Sequence, residues 1–151
     1  MIDVDKALSL ELAPLTFEVE RGRLRAFARS IGETDPVYLD VRAAQAAGHP
    51  DLVVPPTFFF SMSMESDAPF AYLESLGVDM RFVLHGEQSF EYQRLAYAGD
   101  ALVLHDRIID VQVKRGGAME LVVKQTRVHR GEVLVATATG VIVVQHRQAA
   151  A

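Results

Sequence analysis

From Ala101 to Gln145 the chain is three long runs of alternating, β-branched residues, broken only at Arg115-Gly116-Gly117 and Arg130-Gly131. Runs of this kind, joined by short glycine turns, pair as antiparallel hairpins. Residues 101–114, 118–130 and 132–145 are therefore expected to form consecutive strands of a meander, with an earlier strand over 87–94. The last run, "VLVATATGVIVVQ", is apolar on both faces. Such a strand belongs in the centre of a sheet, or under the cover of another subunit. A meander of this length also needs an apolar layer against one face, and that layer has to come from the N-terminal half.

That half reads as helix. After a short strand at Leu15 to Glu18, the residues Leu24, Phe27, Ala28 and Ile31 recur at the spacing of an amphipathic helix. Arg21, Arg23, Arg25 and Arg29 mark its solvated side, and Gly32 is its stop. A short Ala-rich helix follows over 42–47, then a loop carrying Gly48, Pro50, Pro55 and Pro56. The stretch "TFFFSMSMESDAPFAYLESLG" is apolar on nearly every side, which predicts a long buried helix over 57–76. Pro69 predicts a break near Asp67, because proline inside a helix costs about 3 kcal/mol.

The 151 residues suffice for one core, so a single α+β domain over 1–151 is expected, with the sheet wrapped around the long helix. A net charge of −5 argues against nucleic acid, and the lack of cysteine excludes disulfides, thiolate nucleophiles and cysteine-based zinc sites. No apolar run approaches the roughly 20 residues of a membrane helix, and the first residues carry acids rather than a leader pattern. A cytoplasmic protein acting on small molecules, without a cofactor, is the expectation.

Three motifs occur in order: "IGETDPVYLD" followed by Ala44, "VVPPTF" ahead of the apolar helix, and "FEYQRLAYAGDAL" at the strands. Together, from about Phe17 to Val144, they resemble the MaoC-like hydratase/dehydratase branch of the hotdog fold, especially its N-terminal-type, fatty-acid-synthase-like dehydratase domains. Leu95 stands close to where that family has a proline. The resemblance implies a hotdog dimer holding acyl-CoA or acyl-carrier-protein thioesters in a groove between subunits. It also implies (R)-3-hydroxyacyl/enoyl hydration and dehydration, which requires proton exchange near neutral pH and a donor for the enolate-like oxygen. Catalytic members carry G-D-x-N-P-aliphatic-H. Here Glu33 falls on the Asp, Asp35 on the Asn, Pro36 on the Pro, Val37 on the aliphatic residue and Tyr38 on the His, while Ala44 matches a small residue. The glycine whose amide serves the thioester oxygen aligns with Pro56, which has no N–H; Thr57 is the remaining donor there.

These departures imply a loop that keeps its shape while its proton-handling positions have changed. Glutamate for aspartate moves the carboxylate by a methylene, and an ordinary phenol titrates near 10. One expectation is a subunit that binds the thioester and forms a heterodimer with a catalytic MaoC-like chain. In that reading Asp35, Pro56, Thr57, Phe58 and Met62 contact substrate, and Phe59, Phe60, Met64, Phe70 and Tyr72 offer further channel lining or simple core. A second is a self-sufficient homodimeric hydratase using Glu33 with Tyr38 or His85, since an imidazole titrates near neutrality. A third is a thioesterase using Glu65 or Asp67, with Asp67 otherwise a natural cap before Pro69. His49, His105, His129 and His146 lack metal-ligand spacing and are expected to face solvent, and Gly99-Asp100 reads as a structural turn.

Overall fold

The computed structural model describes residues 1–146; residues 147–151, with which the expected domain ends, lie outside the described residues. The elements in order are α1 (Val4–Leu8), β1 (Leu15–Glu18), α2 (Arg21–Ser30), α3 (Val41–Ala46), α4 (Phe58–Ser63), α5 (Ala71–Ser75), β2 (Val83–Tyr92), β3 (Ala101–Lys114), β4 (Met119–Arg130) and β5 (Val133–Gln145). The strands form one antiparallel sheet in the order β1-β3-β4-β5-β2. This is the α+β hotdog arrangement. The meander β3-β4-β5 is as expected, and β5, apolar on both faces, lies inside the sheet between β4 and β2. Arg115, Gly116, Gly117 and Gly131 all have positive φ at the two hairpin turns, a backbone that glycine adopts at little cost. No helix among the described residues is long and apolar enough to cross a membrane.

Strand β2 starts earlier than expected, at Val83, and leaves the sheet after Tyr92. The chain then turns so that Val53 and Tyr97 form a bridge flanked by Val54 N–H to Ala96 O and Ala98 N–H to Leu52 O bonds. β2 bulges between His85 and Glu87. A Cβ on Gly86 would stand 2.9 Å from the Val143 side chain and 3.1 Å from the Val141 carbonyl, so the bulge requires glycine.

The long helix expected over 57–76 is instead two short ones, α4 and α5, of six and five residues. Helix α4 closes at its C-cap Met64, ahead of Pro69, and the Ser66 hydroxyl, rather than Asp67, accepts the Ala68 N–H at 3.3 Å. The break divides the core. Phe58, Phe59 and Met62 of α4 pack with Leu24 of α2 on Leu104, Val128, Val135 and Ala136 at one end of the sheet. Tyr72 and Leu73 of α5 pack with Ile2 and Ala7 of the N-terminal arm on Ile108, Val122, Ile142 and Val144 at the other. Helix α1, too short to leave a periodic signal, was not foreseen. Asp3 caps it, and its arm is tied down where the buried Glu120 carboxylate accepts the Ile2 N–H.

Candidate functional site

The 31–40 loop begins with a helix stop. Gly32, at φ 73°, donates its N–H to Arg29 O, and the Glu33 N–H bonds to Ala28 O at 2.9 Å, the paired closing bonds of a Schellman motif. The Glu33 carboxylate turns back onto its own backbone, with Oε1 accepting the Thr34 and Asp35 N–H groups, each at 2.8 Å. Asp35 caps the 3-10 turn at Pro36–Tyr38 by accepting the Val37 N–H, and Asp40 caps α3 through Ala43. Ala44 is fully buried. Each acid of the loop therefore holds local backbone. Tyr38 is half-buried; burial first, then the charges of Glu33 and Asp35, push its hydroxyl above the ordinary phenol range. That shift makes it a weaker proton donor and keeps its basic phenolate form scarcer near neutrality.

Pro56 and Thr57 lead exposed into α4. The Pro56 carbonyl accepts the Tyr92 hydroxyl at 2.9 Å, and the Phe58 N–H bonds to Pro55 O. Thr57 occupies the N-cap position without a side-chain cap bond. Phe58 and Met62, expected to contact substrate, are buried core residues one helical turn apart. They face Phe17, Phe27 and Leu24, with Phe58 meeting the Phe17 and Phe27 rings edge-on. The opposite side of α4 behaves differently.

That side opens on a cavity of about 300 Å³ between α4, α5 and the sheet. Phe59, Phe60, Met64, Phe70 and Tyr72 line its roof. Its floor is the stretch of sheet between the two core clusters. The register there places Asp106 beside Thr126, Thr126 beside Ala138, Lys124 beside Gly140 and Gly140 beside Gln88. Ala138 and Gly140 are too small to fill the gap left by the broken helix, which is why the space exists. His85 lies in the wall, 3.4 Å from Gln88 through Nε2 and with its ring 5.3 Å from that of Phe60. The hydrogen bonds of Glu33 and His85 thus run to different neighbours, one set within the loop and the other in the cavity wall.

Sequence reasoning missed the polar floor. Lys124 Nζ bonds to Asp106 Oδ2 at 2.6 Å, Thr126 Oγ1 bonds to Asp106 Oδ1 at 2.5 Å, and Lys124 sits 5.4 Å over the Tyr72 ring. Alternation carried a signal. Lys124 stands between Val122 and Thr126, both buried, so a charge occupies an inward position of β4.

The remaining candidates hold structure. Glu65 pairs with Arg23, whose hydrogen bond keeps its carboxyl below the usual range. Asp100 accepts the Tyr97 N–H and pairs with Arg130, as a structural turn should. His105 is exposed, as expected, whereas His49, His129 and His146 are partly covered. His146 binds the buried Glu120, His49 contacts Tyr97, and His129 packs edge-on to His105 with its Nδ1 buried. Among the described residues, no cluster of three or more His, Asp or Glu side chains is placed to hold a metal ion.

The family model for the FAS1-like dehydratase domain region matches residues 7–138. A UPF0336 protein of Streptomyces griseus is 35% identical over 126 residues, covering 83% of this chain and 84% of its own. Another, from Streptomyces coelicolor, is 39% identical over 100 residues, or 66% and 67% of the two chains. Among solved structures, the C-terminally truncated HadBC (3R-hydroxyacyl-ACP dehydratase) complex of Mycobacterium tuberculosis superposes with a TM-score of 0.77 at 24% identity, over 88% of this chain and 93% of that one. The ChsH1–ChsH2 complex of the same organism gives 0.74 at 21% identity, over 91% and 85%.

Proposed function

The chain belongs to the MaoC-like hotdog dehydratases, through their FAS1-like dehydratase region, and from this we propose that it is the thioester-holding subunit of a hydratase/dehydratase whose proton chemistry resides on a partner chain. The observation that carries this reading is the bonding of Glu33. The carboxylate aligned with the family's catalytic acid is engaged with two amides of its own loop, while Tyr38 replaces the imidazole. The apolar cavity accommodates the acyl chain of a CoA or acyl-carrier-protein thioester, working in the cytoplasm. The partner supplies the pair that adds water across the enoyl double bond, hydroxyl to the β-carbon and proton to the α-carbon.

A seat for the partner is available. Strand β2 is the last in the sheet order, ten residues long, and Leu84 and Tyr92 on it are 54% and 46% exposed. A long open edge of this kind invites pairing with another chain. The solved assemblies resembling this chain, HadBC and ChsH1–ChsH2, are themselves complexes of two subunits, which supports a heterodimer over a homodimer.

The test is hydration of short and long enoyl-CoAs by the purified chain, alone and with a candidate subunit carrying an intact G-D-x-N-P-x-H motif. Turnover is expected only in the mixture. Turnover by the chain alone, lost in Glu33→Gln, would establish the self-sufficient hydratase instead. Release of free CoA from saturated acyl-CoA would point to the thioesterase, a role for which Glu65, held by Arg23, is poorly placed.

A further inference from the structure

A second hollow, of about 380 Å³, adjoins the first. The two share Ser63, Pro69 and Tyr72 as lining, yet the charged pair is divided between them: Lys124 and Thr126 line the first, and Asp106 lines the second. Tyr72 descends from α5 and the ion pair rises from β3 and β4, and they meet where Lys124 Nζ stands over the tyrosine ring. Cation–π and ion-pair contacts at one point make a firm closure. The Lys124 and Asp106 side chains are only 13% and 25% exposed. An alkyl chain lying across them would strip their remaining water without offering a hydrogen bond, which is unfavourable for charged groups. The first hollow is lined mainly by aromatic, methionine and aliphatic side chains, with Ser63, His85 and Gln88 among them, and its one charged lining residue among the described residues is Lys124.

We propose that Tyr72 and the Lys124–Asp106 pair form the partition that ends the acyl channel, so that these residues set the length of acyl chain the subunit accepts. The inference rests on the acyl-thioester reading above. It predicts that a short acyl group fills the first hollow, and that a long one is refused because the second is closed to it.

The test is a binding series on the full chain with butyryl-, octanoyl-, dodecanoyl- and palmitoyl-CoA, repeated with the matching primary alcohols, which need the channel but not the thioester. Wild type is expected to bind octanoyl-CoA about tenfold more tightly than palmitoyl-CoA. Tyr72→Ala, which opens the partition, and the doubly neutral Asp106→Asn/Lys124→Met variant, which leaves neither charge unpaired, should each remove most of that discrimination. The double variant keeps the test decisive if Tyr72→Ala folds poorly, and Tyr72→Phe, which retains the ring, should keep wild-type preference. Thioester binding with the same length preference in wild type and both opening variants would overturn the partition and leave the thioester reading intact. Length-dependent binding of the alcohols, relaxed in the variants, with no binding of any thioester, would sink that reading and uphold the partition. No binding of either series would overturn both.

Discussion

Two pairs of carboxylates divide this molecule. Glu33 and Asp35 stand two residues apart in an exposed loop, and each bonds an amide within two positions of itself. Asp106 and Glu120 stand on neighbouring strands facing inward, and each ties together parts of the chain far apart in sequence. Asp106 bonds side chains of β4; Glu120, fully buried, holds the Ile2 amide of the N-terminal arm and His146 after the last strand. The loop acids are the ones a motif search finds. The sheet acids carry the long-range structure, and Asp106 also lines the second hollow. Where a carboxylate sits in the alternation of a strand thus says more about its work here than its place in a motif does.

The largest expected effect breaks the comparison from the buried side. Glu120→Ala leaves the buried Ile2 N–H without its acceptor and the partly exposed His146 without its partner, and losing the buried member of such a set costs about 3 kcal/mol, or roughly 10 °C of melting temperature at this chain length. Glu120→Gln, which still accepts from Ile2, should lose clearly less. Thermal unfolding of the two variants measures both, and equal stability of Glu120→Ala and wild type would refute the anchoring role.

Asp106→Ala comes next. It leaves the Lys124 ammonium and the Thr126 hydroxyl without their shared acceptor, at about 2 kcal/mol. The doubly neutral Asp106→Asn/Lys124→Met variant should be more stable than this single change, because it removes the unpaired charge together with its partner. Urea titrations that ranked them the other way would show that the pair is not the buried, coupled unit the geometry describes.

Much of this arrangement was legible beforehand, and the illegible parts have physical reasons. Strands β3 to β5 were readable because alternation and glycine turns are local signals, and the Gly32 stop because a positive φ selects glycine. The length of the apolar helix was not. Uniform hydrophobicity marks burial but not continuity, and only Pro69 hinted that the run would split into α4 and α5. The cavity follows from that split together with Ala138 and Gly140, residues that look like ordinary strand filling until the register brings them beneath the gap. Phe58 and Met62 were assigned to the channel with the rest of the helix; a helix buried on all sides has no sequence mark saying which face meets a core and which a hollow.

On the loop side the expected effects shrink. Glu33→Ala removes two bonds to backbone amides at an exposed site, comparable to losing a helix cap, about 1 kcal/mol or less. A loss as large as that of Glu120→Ala would erase the distinction between the two pairs. The same variant should also bring the Tyr38 titration closer to that of an ordinary phenol, since Glu33 is one of the charges holding it up; ultraviolet difference titration of the tyrosines would register the shift.

The smallest effect concerns acids outside both pairs. Asp51 and Glu65 are held below their ordinary range chiefly by hydrogen bonds from Arg21 and Arg23, and Asp79 is pulled to about 2 by Arg81. A carboxyl depressed in the folded state adds stability that is complete above its unfolded value, about 4, and disappears as pH falls through its folded value. Unfolding free energy should therefore decline between about pH 4 and about pH 2, gently, because these pairs are exposed and screened by water. Arg21→Gln and Arg23→Gln should flatten that slope, as should salt. A slope that instead disappears in Glu120→Gln and persists without the arginines would move the acid sensitivity onto the sheet pair, and give the buried carboxylates the role assigned here to surface ones.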